Sequence, residues 1–195
     1  MAARSGWTPL DLAGAYLAGG ARLLQLRAKT LESGAFLDLA TAIEEEARRV
    51  GARLIVNDRA DIARLVRAAG VHVGQEDLSP AAVRRVVGTD AIVGYSTHSV
   101  QQIEGALAMP ISYFAVGPVF STATKDTGYE EVGVTLVRDA AQRAGGKMPV
   151  VAIGGISLNT ARRVVDAGAA SVAVITDLLA GNPQSRVRQY LAVLA

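Results

Sequence analysis

The sequence contains no cysteine. That removes disulfides, thiolate nucleophiles and sulfur-held metals together. Histidine is almost as scarce: His72 and His98 stand alone, too few for a multi-histidine zinc centre. A metal here must be held by oxygen, which selects a hard ion such as Mg²⁺. Aromatic residues make up only 5% and are scattered, so no stacking platform for bases is formed. No apolar run approaches the ~20 residues of a membrane-spanning helix, and Met1–Trp7 lacks the apolar segment of a signal peptide. A cytoplasmic protein without membrane partners is expected. Charge of either sign is also in short supply as a field: the net charge is +2. Arg48-Arg49, Arg84-Arg85 and Arg162-Arg163 fall on predicted helices and read as solvated faces, so nucleic acid is not an expected partner.

What is present is apolar and periodic. Half of the 195 residues are hydrophobic, which fits one compact domain over 1–195. Short β-branched runs predict strands at Leu23–Arg27, Leu54–Asn57, Val71–Val73, Ile92–Ser96, Tyr113–Val116, Val150–Ile153 and Val172–Ile175. Helical patterns with caps alternate with them. Thr8-Pro9 opens the first, Ser33 the second, Ser79-Pro80 and Ser157 two others. Regular alternation means a parallel sheet, and nearly all-apolar strands mean burial on both faces. Polar residues gather after each strand, where a barrel builds its active site. The fold class expected is α/β, a (β/α)8 TIM barrel.

The strand count is one short of eight, because the chain opens on a helix. A seven-stranded barrel leaves Leu23–Arg27 and Val172–Ile175 with unpaired edges, which favour association with further copies of the chain. We expect an upstream extension of about 10–20 residues carrying the missing strand.

Four clusters could carry chemistry. Gln25, Arg27 and Lys29 alternate along one side of the first strand, and an amide with two cations suits a phosphorylated, nitrogen-containing substrate; a strand-end salt bridge is the plainer reading. Asn57-Asp58 and Gln75-Glu76-Asp77 end neighbouring strands, so Asp58 and Asp77 can meet at one Mg²⁺; helix capping is the alternative for each. The segment from Gly117 to Lys125 leads into a long loop whose Thr122, Thr124 and Lys125 suit phosphate oxygens. Lys29 and Lys125 are two of only three lysines, which argues against a random solvated surface. Gly154-Gly155 and Thr176-Asp177 follow the last two strands, where glycines and a short helix from about Asp177 can receive an anion. His72 reads as a hydrogen-bonded core residue, while His98 is as well placed to touch a ligand as not.

Taken in order, these stretches resemble the thiamine phosphate synthase family: Gln-Leu-Arg-Ala-Lys, Leu-Ile-Val-Asn-Asp, Gly-Val-His-Val-Gly-Gln-Glu-Asp, Gly-Tyr-Ser-Thr-His, Val-Gly-Pro-Val-Phe with Thr-Ala-Thr-Lys, and Val-Ala-Ile-Gly-Gly-Ile. The resemblance covers roughly residues 9–180. It implies a barrel enzyme joining a pyrimidine methyl diphosphate to a thiazole ethyl phosphate, with small phosphorylated substrates as its partners. It further implies that Gln25, Arg27, Lys29, Asn57, Ser96 and Lys125 hold the pyrimidine diphosphate, with Arg27, Ser96 and Lys125 catalytic. Asp58 and Asp77 would hold Mg²⁺. Thr122, Thr124, Gly155, Ile175 and Thr176 would line the thiazole phosphate site. Two other readings stand beside it: a thiazole tautomerase on the same barrel, and a non-catalytic barrel that binds a phosphorylated ligand.

Overall fold

The computed structural model describes residues 6–121 and 130–195. Eight helices and seven strands alternate through them: α1 (Pro9–Gly19), β1 (Leu23–Leu26), α2 (Ser33–Arg49), β2 (Arg53–Asn57), α3 (Ala60–Val66), β3 (Gly70–Val73), α4 (Pro80–Val87), β4 (Ile92–Thr97), α5 (Val100–Leu107), β5 (Tyr113–Val116), α6 (Gly133–Ala144), β6 (Val150–Ile153), α7 (Leu158–Asp166), β7 (Ser171–Ala173) and α8 (Pro183–Leu194). A 3₁₀ turn, Thr176–Leu179, lies between β7 and α8. No helix among the described residues is long and apolar enough to cross a membrane.

The caps explain where helices begin. Thr8 accepts from the Asp11 N–H at 3.1 Å, with Pro9 next, where its missing N–H costs nothing. Ser79 caps α4 in the same way, and Ser157 forms a capping box with Thr160. Ser33 does not cap α2. It is the first helical residue, and its hydroxyl accepts from Arg59 Nη1 at 3.1 Å instead.

The strands are all parallel and follow chain order from β1 to β7. Alternation gives the sheet two unlike faces. Leu54, Val56, Val71, Val73, Val93, Phe114, Val116 and Ala152 are fully buried against the helices, and this is where the core sits. The other face is buried as well, at Ile55, Asn57 and His72, but it carries polar side chains. Register places Asn57, His72, Gly94 and Tyr113 side by side across β2 to β5 on that inner face.

A closed eightfold barrel is not formed among the described residues. The sheet curls, and β1 and β7 are its two ends. Leu23 on β1 is 52% exposed as a result. The helices nevertheless continue across the seam, since α1 packs on α8. Gly19 makes this contact: a Cβ there would lie 2.7 Å from the Gln184 carbonyl oxygen and from Val187 Cβ. Two strands are shorter than the sequence predicts. Arg27 lies beyond the end of β1, and Ile175 beyond the end of β7, so both belong to the loops that follow.

The arginine pairs divide. Arg48, Arg49 and Arg162 pair with Glu44, Glu46 and Asp166 on their own helices, as solvated faces do. Arg84 does otherwise: it donates to the carbonyls of Pro110 at 2.9 Å and Thr89 at 2.9 Å, and to Ser112 Oγ at 3.1 Å. It ties α4 to the loops leading into β4 and β5.

Candidate active site

Among the described residues, the candidates for substrate and metal binding stand at the carboxyl ends of the strands or in the loops that follow them. Asn57 ends β2 and is buried. Asp58 follows at φ 63°, a left-handed conformation that aspartate tolerates better than most residues. Its N–H donates to the His72 carbonyl oxygen at 2.8 Å, which carries the β2–β3 pairing one residue past the strand. The Asp58 carboxylate is therefore held over β3, towards Asp77.

Asp77 is fixed by its own loop, with Oδ2 accepting from the Gly74 N–H at 2.8 Å. Neither aspartate caps a helix, since Arg59 and Ser79 hold the N-cap positions of α3 and α4. The capping alternative is thereby removed for both. Burial pushes the Asp58 carboxyl up, the Lys29 ammonium pulls it down, and the Asp77 carboxylate beside it pushes it up again; the balance is raised. Lys29 Nζ lies 2.9 Å from Asp58 Oδ2. Lys29, Asn57 and Asp58 also line a cavity of about 200 Å³, with Ala28, Leu31, Phe36 and Arg59.

Two carboxylates crowded into contact suit a hard divalent cation, which would neutralise both. Among the described residues no group of three or more histidine, aspartate or glutamate side chains gathers as a metal cluster. A pair alone suits Mg²⁺, which completes its shell with water and substrate phosphate oxygens. The residues present fit that ion.

Around this pair the other candidates fall as follows. Gln25, Arg27 and Lys29 are exposed at the end of β1. Ser96 is half-buried on the inner face of β4. Gly154 and Gly155 take φ 98° and 63° after β6. A Cβ at Gly155 would stand 2.6 Å from the carbonyl oxygens of Phe120 and Ser121, so the β5 and β6 loops touch through bare backbone. Ile175 and Thr176 are exposed at the 3₁₀ turn. Thr122, Thr124 and Lys125 lie outside the described residues.

The strand-end salt bridge weighed for the Gln25, Arg27 and Lys29 cluster is formed by Lys29, and its partner is Asp58. Three further features, at Asp177, His72 and His98, were not read from the sequence. The short helix expected from about Asp177 is present as the 3₁₀ turn Thr176–Leu179, and the Asp177 side chain turns to α8. It accepts from Arg186 Nη2 at 2.8 Å, Tyr190 Oη at 2.5 Å and the Leu158 N–H at 3.1 Å. Burial pushes its carboxyl up, but the bonds from Arg186, Tyr190 and Leu158 outweigh that and hold it below its ordinary value. His72 is buried as expected, yet its Nε2 lies 2.8 Å from Ser96 Oγ and its Nδ1 2.9 Å from Tyr113 Oη. His98 has its Nδ1 on the Gly117 carbonyl oxygen, at the cis Gly117–Pro118 bond.

The Asp177 knot anchors the 3₁₀ turn to both α7 and α8. Asp177→Ala removes a charged acceptor with several donors and should cost about 2 kcal/mol, the low end because the site is partly solvated. For a chain of this size that is about 4–8 °C in Tm. Because the folded carboxyl is held low, its contribution is complete above its ordinary value of 3.8 and disappears as pH falls through the folded value. Thermal scans at neutral pH and near pH 3 should show the gap between wild type and variant closing in acid.

Parallel strands curled into a half-barrel, helices packed against them and a carboxylate pair with a lysine at the strand ends place the chain among α/β proteins of the half-barrel type. Comparison with known proteins narrows this class. The family model for thiamine monophosphate synthase matches residues 3–178, and the chain belongs to that family. It is 43% identical over 183 residues to the thiamine-phosphate synthase of Acidothermus cellulolyticus, covering 93% of this chain and 85% of that one. It is 43% identical over 188 residues to a thiamine biosynthesis bifunctional protein of Symbiobacterium thermophilum, spanning 96% of this chain but 39% of that longer protein. Among solved structures, thiamine phosphate pyrophosphorylase from Pyrococcus furiosus superposes with a TM-score of 0.88 at 26% identity, over 96% of this chain and 89% of that one.

Proposed function

We propose that the chain is a thiamine-phosphate synthase, joining a pyrimidine methyl diphosphate to a thiazole ethyl phosphate with release of diphosphate. Family membership supports the reaction class, and one observation carries the reading of the site: Asp58 and Asp77 are brought together beside Lys29 at the ends of β2 and β3. Those residues suit a diphosphate and its counter-ion. The fold is read as a (β/α)8-type barrel whose strand ends form one mouth.

In this reading the carbon–oxygen bond to diphosphate breaks first, and the electron pair leaves with the diphosphate. The pyrimidine methylene is left cation-like, and the thiazole nitrogen lone pair forms the new carbon–nitrogen bond. No proton has to be moved by a side chain, so the absence of cysteine is no obstacle. Asp58 and Asp77 would hold Mg²⁺. The bound ion supplies positive charge to the departing diphosphate. Arg27, Lys29 and Lys125 add charge where the leaving group develops it. Gln25, Asn57 and Ser96 orient the pyrimidine diphosphate. Gly155, Ile175 and Thr176, with Thr122 and Thr124, receive the thiazole phosphate through backbone N–H and hydroxyl groups.

A tautomerase of the same barrel would have no leaving diphosphate, and the crowded carboxylate pair would have no task. The direct test is to supply both substrates with Mg²⁺ and follow thiamine phosphate as fluorescent thiochrome. Equal amounts of thiamine phosphate and diphosphate are expected; isomerised thiazole phosphate without condensation would overturn the reading.

A further inference from the structure

Ser96 is not the end of its own hydrogen-bond chain. Register on the inner face of the sheet places His72 on β3 opposite Gly94 on β4, and Gly94 opposite Tyr113 on β5. Tyr113 thus sits one strand away from the histidine it contacts, with only a glycine between. That glycine is what lets them meet. A Cβ at Gly94 would fall 2.2 Å from Tyr113 Cζ, 2.4 Å from its Oη and 2.5 Å from His72 Nδ1. The ring centroids of His72 and Tyr113 are 5.6 Å apart, and Oη lies 2.9 Å from Nδ1. From the far side of the same ring, Nε2 lies 2.8 Å from Ser96 Oγ. A strand glycine, a buried histidine and a tyrosine therefore join in one line that ends on a hydroxyl at the mouth of the sheet.

The chemistry of the line follows from proton inventory. A tyrosine hydroxyl both donates and accepts, a neutral imidazole has one nitrogen of each kind, and a serine hydroxyl has one proton to give. Burial pushes the Tyr113 phenol up to about 12, so it keeps its proton at neutral pH and can donate it. With Tyr113 donating to Nδ1, the imidazole proton must reside on Nε2, and Nε2–H then donates to Ser96 Oγ. In that arrangement Ser96 Oγ accepts from His72 and its own hydrogen is free to point away from the ring.

We propose that Tyr113 and His72 are positioning residues that fix the imidazole proton on Nε2, so that Ser96 meets the substrate as a hydrogen-bond donor. The group it meets is an acceptor: a ring nitrogen or a phosphate oxygen of the pyrimidine diphosphate. The identity of that substrate, and the choice of this hydrogen-bond direction over its reverse, rest on the synthase reading above. The opposite arrangement, with Nδ1 protonated and Ser96 donating to Nε2, would make the pair a nucleophile and base, which the proposed reaction does not use.

Two measurements test it. In ¹⁵N-histidine-labelled protein, two-bond ¹H–¹⁵N spectra, assigned with His72→Asn, should show His72 as the neutral tautomer protonated at Nε2. Tyr113→Phe, which removes only the hydroxyl, should move part of that population to Nδ1. A wild-type His72 protonated at Nδ1, alone or in an imidazolium, would overturn the proposal. Kinetically, Tyr113→Phe should lower kcat about 5- to 20-fold with KM little changed, since only the orientation of a donor is lost. The same change placed on Ser96→Ala should cost less than twofold further, because the line no longer has an end. Multiplying losses in the double variant would mean that Tyr113 acts without Ser96. Should the wild type form no thiamine phosphate, the synthase reading fails and the tautomer spectra decide the hydrogen-bond direction alone.

Discussion

Asp58→Asn and Asp77→Asn should each lower kcat about 100-fold or more while the protein stays folded. The magnitude is that of removing charge stabilisation from a developing anion. Asparagine is the informative replacement at both positions. At Asp58 the backbone is left-handed at φ 63°, and asparagine accepts that conformation where alanine would add a conformational cost of its own. At Asp77 the amide oxygen can still accept from the Gly74 N–H, so the loop after β3 keeps its shape. Stability should hardly fall in either variant. Asp58 carries a raised pKa because burial and the neighbouring Asp77 oppose its charge, and removing one of the two charges relieves that opposition. Steady-state kinetics with a thermal scan on the same samples checks this. Loss of activity together with a large drop in Tm would mean that the pair is structural.

The second large effect is expected at a residue with no side chain. Gly155→Ala should lower kcat/KM by about 100-fold or more, the size of effect that follows when a binding group is displaced by about 1 Å. The added Cβ would stand 2.6 Å from two carbonyl oxygens, those of Phe120 and Ser121, and backbone cannot swing aside as a long side chain can. The φ of 63° adds strain of its own. Phe120 and Ser121 lead directly into the segment that holds Thr122, Thr124 and Lys125. Pushing them away displaces one phosphate-binding candidate from the other. Gly181→Ala is the useful control. It also has a positive φ, of 86°, but its Cβ would meet nothing within 4 Å, so it tests strain without collision. Equal losses in the two variants would show that the close approach of the loops is irrelevant to turnover.

Much of this architecture is legible in the sequence, and the reasons are physical. Strand–helix alternation, with Thr8-Pro9, Ser79-Pro80 and Ser157 as helix starts, is a local pattern, and each of those caps is present. Asp58 and Asp77 could be paired in advance because neighbouring parallel strands bring their ends together, whatever the side chains do. Features that depend on direction were not legible. The partner of the Asp177 side chain depends on where α8 places Arg186, which no local pattern gives. The His72–Tyr113 contact needs two strands in register and a glycine between them, from residues 22 and 41 positions apart in the chain. Asn57 and His72 were legible one by one, but that they stand side by side with Tyr113 on one face follows only from the strand register. The open edges at β1 and β7 were legible, because counting the apolar runs gives seven strands and not eight.

The measurement that bears most directly on the account is thiamine phosphate formation in metal-stripped protein, titrated with Mg²⁺ from excess chelator upward. The account predicts no turnover in chelator, a saturable return as Mg²⁺ is added, and no such return in Asp58→Asn. Full turnover in excess chelator would contradict it, because Asp58 and Asp77 would then be crowded together for some purpose other than holding the ion.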